Sequence, residues 1–285
     1  MTDSIVRDCP AKVNLFLRVL AREEDGYHGI ETCFCRVGLA DTLAVERTGS
    51  GIALTVEGAD VGPGEENLAW RAADAVLQVT GRRFGVTMHL TKRIPVAAGL
   101  GGGSSDAAGA LLAVNQLANN AVPRSELLHA AYRLGADVPF FLLETGCALA
   151  WGHGQRMLRL ESLPSLPILI LDTGVSISTA DAYRRVDESR RSAGQRGSVA
   201  LDLEVLHRWS DIARLAGNEF ESVAFADHPR IRAGFEALAA THPILCRMTG
   251  SGSALFAVYR TERDRDDAAE RLGGKHGRLI STVSS

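Results

Sequence analysis

Pro95-Val-Ala-Ala-Gly-Leu-Gly-Gly-Gly-Ser-Ser-Asp-Ala107 places Gly99, Gly101, Gly102 and Gly103 directly ahead of the apolar run Ala107-Ala-Gly-Ala-Leu-Leu-Ala-Val114. Glycines without Cβ atoms let backbone N–H groups approach an anion and permit positive φ angles that turn successive N–H groups toward it. The alanine-rich run is apolar enough to form a buried helix, and a helix N-terminus favours negative charge. The stretch therefore predicts a phosphate cradle that opens a helix, with Ser104 or Ser105 as the capping residue. A flexible linker of this composition does not run straight into a core helix.

Two common phosphate-binding patterns are excluded. The chain's Gly274-Lys275 is followed by His276 and lacks the earlier glycine of a Walker loop. In the dinucleotide fingerprint the third position is Gly or Ala, where counting from Gly99 or Gly101 gives Ser104 or Asp106. A nucleoside triphosphate fits the loop better than a hydride carrier.

Outward from the loop, Val86, Met88 and Leu90 alternate as a strand leading into Lys92-Arg-Ile-Pro95, and Leu68, Ala72, Ala75, Val76 and Val79 recur at helical spacing before Gly81. Residues 11–20 alternate, so Lys12 and Asn14 project from one strand face. Residues 30–37, 42–47 and 51–57 read as further strands, after a polar turn over 22–28. Ser125 is the expected cap of a helix ending before Gly135, which leaves Asp137 on the turn Gly135-Ala-Asp-Val-Pro139. Pro164 and Pro167 precede the strand Ile168–Leu171, so a lobe boundary is expected near residue 160, with Trp151-Gly-His-Gly154 in the link. The polar stretch Asp187–Ser198 reads as a mobile loop. Helical patterns over 203–240, strands near 244–248 and 253–259, one more helix and a strand near 278–283 complete the chain.

At 285 residues, 23% charged and 46% hydrophobic, with net charge -3, the composition is that of a globular protein and argues against a nucleic-acid or anionic-membrane partner. There is no bilayer-length apolar stretch and no signal-peptide core at the N-terminus, so a cytoplasmic location is expected. The five cysteines, Cys9, Cys33, Cys35, Cys147 and Cys246, lack Cys-x-x-Cys spacing and are expected as reduced, mostly buried thiols. Cys33 and Cys35 share a strand face but do not complete a tetrahedral metal site.

Pro10-Ala-Lys-Val-Asn14, the glycine loop and Met248-Thr-Gly-Ser-Gly-Ser-Ala254 together resemble the GHMP kinase superfamily. Asp25-Gly-Tyr-His28, Gly135-Ala-Asp-Val-Pro-Phe140 and Gly174-Val-Ser-Ile-Ser-Thr-Ala180 are similar to its branch that phosphorylates the 2-hydroxyl of a cytidine diphosphate methylerythritol in non-mevalonate isoprenoid synthesis. The resemblance implies an α+β, two-lobed fold. Residues 1–160 would form a ribosomal-protein-S5-like, nucleotide-binding lobe, and residues 161–285 a ferredoxin-like α/β sandwich.

It further implies ATP and Mg²⁺ as cofactors, with Lys12 and Asp137 as the catalytic pair. Asp137 would accept or orient the hydroxyl proton, and Lys12 would keep Asp137 ionised and neutralise the transferring phosphoryl group. ATP would lie along Pro95, Val96, Ala97, Ala98, Gly99, Leu100, Gly101, Gly102, Gly103, Ser104 and Ser105, flanked by Asn67 and Lys92, with Ser105 as the Mg²⁺ contact. Asn14, Tyr27, His28, Asp137, Thr179 and Tyr183 would hold the substrate, Tyr27 by stacking on the cytosine and His28 by hydrogen bonding its edge. Thr249–Ser253 would close on the phosphates.

Each residue also has a plainer reading: Asp137 as a turn-stabilising carboxylate, Lys12 as an edge-strand lysine facing solvent, Asn67 as a helix cap, Lys92 as a solvated strand end, and 249–253 as a hairpin turn. Homoserine- or mevalonate-type substrates, or a non-catalytic nucleotide sensor, are the alternative functions. A monomer or weak homodimer is expected.

Overall fold

The alternating segment around Lys12 forms the long strand β1 (Ser4–Arg22). Its residues 11–17 are all buried, so both faces are covered and Lys12 is not a solvent lysine. The computed structural model describes residues 3–23, 26, 28–62, 64–193 and 201–285. Tyr27 lies outside the described residues.

The two strands expected at 30–37 and 42–47 are one continuous strand, β2 (His28–Thr48). No proline interrupts Val37-Gly-Leu-Ala-Asp-Thr42, and Gly38 continues the extended run. β3 (Ile52–Glu57), α1 (Leu68–Val79) and β4 (Gly85–Thr91) follow as the sequence pattern predicts. On α1 the buried stripe is Ala69, Ala72, Ala73, Val76 and Leu77, one position round from the expected one, and Val79 is exposed. Asn67 caps this helix, its side chain accepting from Ala69 N at 2.8 Å.

α2 (Gly102–Leu117) begins earlier than a cap at Ser104 or Ser105 implies. Gly101, at φ 73°, serves as the N-cap and provides no side-chain cap, so Ser104 and Ser105 sit inside the first turns. Of the four loop glycines only Gly99 and Gly101 have positive φ, because Gly102 and Gly103 are already helical. Similarly α3 (Arg124–Leu134) has Pro123 at its N-cap position, ahead of the expected cap Ser125, which lies within the helix. Proline's fixed φ suits that position. α4 (Val138–Leu142) follows at once, with Asp137 at its N-cap.

Contacts divide the chain into two compact units: Met1–Ala11, Leu39–Val96 and Gly101–Thr145 in the first, and Lys12–Gly38, Ala97–Leu100 and Gly146–Ser285 in the second. In the first, β4 pairs in parallel with β3 and antiparallel with residues 42–48 of β2. α1 packs on α2, whose Ala107, Ala108, Ala110, Leu111, Ala113 and Val114 are buried. A Cβ at Gly109 would meet Cys9 Sγ at 2.5 Å, so the helix approaches the strand closely because that position is glycine.

In the second unit, residues 30–35 of β2 pair antiparallel with β5 (Cys147–Gly152), and β5 with β6 (Arg156–Leu160). Trp151–Gly154 therefore belongs to a β-hairpin and is not a link. Gly152 and Gly154 supply the positive φ angles of its turn. Leu160, near which a lobe boundary is expected, ends β6, and β7 (Pro167–Asp172) follows in the same compact unit.

A separate antiparallel sheet has the order β10-β7-β9-β8, with β8 (Leu245–Met248), β9 (Leu255–Val258) and β10 (Arg278–Val283). Around it stand α5 (Thr179–Ala193), α6 (Trp209–Leu215), α7 (Phe220–Asp227), α8 (Pro229–Ala239) and α9 (Glu262–Leu272). Leu169, Leu171, Leu255, Ile231 and Leu238 are among the residues of its core. Residues 187–193, expected in a loop, are the end of α5. Arg184–Glu188 and Arg185–Glu188 pairs at helical spacing support that turn. Residues 194–198 lie outside the described ones. The mix of two sheets with helices is the α+β class that the resemblance implies.

Candidate active site

In the second unit a buried polar cluster gathers around Lys12. Its ammonium donates to Asn14 Oδ1 at 2.8 Å and to the carbonyl of Gly99 at 2.9 Å, and lies 5.4 Å from the centre of the Phe34 ring. Lys12 N also donates to Leu100 O at 2.9 Å, which ties β1 to the glycine loop at a second point.

The turn Thr249–Ser253 joins β8 to β9 as a hairpin connection, and it also reaches the loop. Ala254 N donates to Ala98 O at 3.0 Å, and Thr249 Oγ1 lies 3.2 Å from Gly99 O. Gly99 has φ 83°, and a Cβ there would meet Thr249 O at 2.2 Å, so this contact requires glycine. Asn218 Nδ2 bonds the carbonyls of Met248 and Gly250, both at 2.8 Å, and Ser253 Oγ donates to Val175 O at 2.5 Å. Thr179 Oγ1 is 3.0 Å from Ser251 Oγ, which brings one expected substrate residue onto the turn.

Also in this unit, the imidazole of His28 stacks on Tyr183, with ring centroids 5.2 Å apart and planes 13° apart. Its Nε2 lies 2.8 Å from Asp187 Oδ1. Tyr183 stands edge-on to the buried Phe220. Residues drawn from β2 and α5 thus form a flat aromatic surface with a carboxylate at its edge.

In the first unit Lys92 is buried, with its ammonium 2.5 Å from Asp41 Oδ2 and 2.6 Å from Asp106 Oδ2. The solvent reading of Lys92 is thereby corrected, since two carboxylates hold it in the interior. Asp41 Oδ1 also accepts from Arg93 N and Ile94 N, which fixes the approach to the loop. Burial disfavours the Lys92 ammonium, but Asp106 and Asp41 outweigh it and hold its pKa above the ordinary lysine value. Burial, helped by the charge of Asp41, pushes the Asp106 carboxyl up to about 7 against the pull of Lys92. A Cβ at Gly102 would come within 3.3 Å of Lys92 Nζ and 3.0 Å of Ile94 Cγ2, so the first turn of α2 rests directly on the triad.

The Ser105 hydroxyl and Asp106 Oδ1 are buried without a hydrogen-bond partner among the described residues. Ser105 is 2% exposed. Orphaned hard oxygens at a helix start are a chemical fit for Mg²⁺. The Ser104 hydroxyl lies 3.8 Å from where a Gly135 Cβ would be, so the Gly135–Asp137 turn stands next to the first turn of α2. Asp137 makes no side-chain cap bond to α4.

Asp41, Asp106, Thr32, Asn218 and Asp187 were not singled out from the sequence. Each bonds a motif residue or a motif backbone, and apart from Asp106, inside the glycine-loop stretch, each is far from that partner in sequence and carries no local signal.

The family profile for the GHMP kinases N terminal domain matches residues 67–145, and that for the GHMP kinases C terminal matches 199–279. The chain is similar to a 4-diphosphocytidyl-2-C-methyl-D-erythritol kinase of Solibacter usitatus (strain Ellin6076), with 40% identity covering 96% of this chain and 87% of the relative. A kinase of the same name from Geotalea daltonii is 36% identical, with 97% of each covered. Among solved structures, a crystal structure of 4-(cytidine 5'-diphospho)-2C-methyl-D-erythritol kinase superposes with a TM-score of 0.83 at 38% identity, covering 99% of this chain and all of the other.

Proposed function

From the membership of this chain in the GHMP kinase family, which makes it an ATP-using kinase, we propose its substrate and the roles of its residues. It transfers the γ-phosphate of ATP to the 2-hydroxyl of 4-diphosphocytidyl-2-C-methyl-D-erythritol. The observation that carries this reading is the full-length similarity to kinases of that name together with the His28–Tyr183 stack, an aromatic platform suited to a nucleobase. Homoserine and mevalonate are disfavoured because the relatives matched at 36–40% identity all carry the cytidylated alcohol in their names. A sensor is disfavoured because Lys12 and Asp137 are both retained.

Phosphoryl transfer asks for positioning and charge neutralisation more than for covalent help. Asp137 takes or orients the proton of the attacking hydroxyl. Lys12, held by Gly99 O and Asn14, supports the ionised Asp137 and neutralises the phosphoryl group as it moves. The loop 95–105 binds the triphosphate through backbone N–H groups, with Gly99 and Gly101 providing the turns. Asn67 flanks the nucleotide while capping α1, and Lys92 serves it by holding the first turn of α2. Ser105 would hold Mg²⁺ directly or through water, and the ion would supply charge neutralisation for the transfer.

On the substrate side, Tyr27 and Tyr183 stack on the cytosine and His28 bonds its edge. Asn14 and Thr179 meet the alcohol and diphosphate. We propose a lobe boundary near residue 160, in the stretch that neither family profile covers. Among the described residues no helix is long and apolar enough to cross a membrane, and we place the protein in the cytoplasm as a monomer or weak homodimer.

The test is ADP release with Mg-ATP and 4-diphosphocytidyl-2-C-methyl-D-erythritol, homoserine, mevalonate or no acceptor. Release with the cytidylated alcohol alone is expected. Release with another acceptor overturns the substrate, and no release with any acceptor supports the sensor.

A further inference from the structure

We propose that Thr32, a residue of no sequence motif, is a positioning residue for phosphoryl transfer. It sets the orientation of the Asn14 carboxamide and through it the place of Lys12 and of the Thr249–Ser253 turn. The proposal rests on the reading of Lys12 as the catalytic lysine.

The argument follows hydrogen-bond polarity. The carbonyl of Phe16 can only accept, and Thr32 Oγ1 lies 2.6 Å from it, so the threonine proton is committed there. The lone pairs of Thr32 are left to accept, and Asn14 Nδ2 is 2.8 Å away. This places the amide nitrogen of Asn14 toward β2 and its oxygen on the other side. Three donors converge on that oxygen: Lys12 Nζ at 2.8 Å, Gly250 N at 2.9 Å and Thr249 Oγ1 at 3.1 Å. Lys12 Nζ and Gly250 N can only donate. A rotated carboxamide would turn its NH₂ toward an ammonium and a peptide N–H, and its oxygen toward a hydroxyl whose proton is already engaged.

Thr32 is fully buried and Asn14 is 2% exposed, so water does not substitute for either partner. The backbone Asn14 N also donates to Thr249 Oγ1 at 3.2 Å, so the main chain of Asn14 as well as its carboxamide holds the turn. One side-chain orientation thus fixes both the lysine and a turn that packs on Gly99.

Thr32→Val keeps the shape and removes the acceptor, and Thr32→Ser keeps the acceptor and removes a methyl group. Steady-state kinetics are measured per folded protein for both variants, with Thr32→Ala as a second deletion of the hydroxyl and Lys12→Met as a reference. Thr32→Val and Thr32→Ala are expected to lower kcat by about 10-fold to 100-fold with KM for ATP nearly unchanged, and Thr32→Ser to recover most of it. In an Asn14→Ala background, Thr32→Val is expected to cost little more, because the two act as one unit.

Wild-type kcat in Thr32→Val, equal impairment in Thr32→Ser and Thr32→Val, or full additivity with Asn14→Ala overturns the proposal while leaving the role of Lys12 intact. Wild-type kcat in Lys12→Met overturns the underlying reading itself and the proposal with it.

Discussion

Two buried lysines, Lys92 just ahead of the glycine loop and Lys12 on β1, are held in different ways. Lys92 donates to two carboxylates, Asp41 and Asp106, in the interior of the first unit. Lys12, in the second, donates to the carbonyl of Gly99 and the amide oxygen of Asn14. The partners of Lys92 make its charge part of the fold, since either carboxylate left without it would be a buried, uncompensated charge. Among the partners of Lys12 are the backbone of the loop and a residue that also anchors the Thr249–Ser253 turn, so its position is tied to the loop. Substitution should therefore separate the two into a lysine of stability and a lysine of turnover.

The sharpest break of this contrast is Lys92→Met. It strands Asp41 and Asp106 and is expected to cost about 3–5 kcal/mol in urea-induced unfolding. Stability unchanged from wild type would remove the triad from the account. The next effect belongs to Asp137, the acid proposed for the transfer. Asp137→Asn is expected to lower kcat by about 10² or more at unchanged ATP affinity, read by single-turnover kinetics and nucleotide titration. Wild-type turnover would take Asp137 out of the reaction and leave Lys12 without its acid.

The smallest effect concerns Asp106, whose raised pKa makes the folded state keep a proton that the unfolded chain has already lost. Its contribution is present at low pH and is lost as pH rises from the ordinary carboxyl range through about 7. Between pH 5 and pH 8 in metal-free buffer the wild type should lose about 2 kcal/mol relative to Asp106→Asn. Parallel stability curves for the two proteins would contradict the assignment.

The same comparison shows where sequence reading succeeds. Lys12 lies in a strand whose alternation is visible and beside an asparagine two positions on, so its face and its neighbour follow from the period of a strand. Lys92 ends a strand that was equally visible, yet its partners are at positions 41 and 106, an aspartate in the middle of β2 and another inside α2. Each reads in isolation as a solvated charge, and only tertiary packing makes them a triad. Ser105 was rightly placed at the start of α2, but its capping role went to Gly101, whose φ of 73° needs no side chain. Ser125 lost its cap to Pro123 in the same way, by a residue whose backbone preference outranks a hydroxyl. The Asn14–Thr249 contact spans 235 positions and has no local signature at all.

The most direct measurement is transfer of label from γ-labelled ATP to 4-diphosphocytidyl-2-C-methyl-D-erythritol by the wild type and by Lys12→Met, each normalised to folded protein. The expected result is acceptor-dependent transfer by the wild type and a rate lower by about 10²–10³ in the variant, whose fold is retained. No transfer by the wild type, or equal transfer by the two proteins, would contradict it.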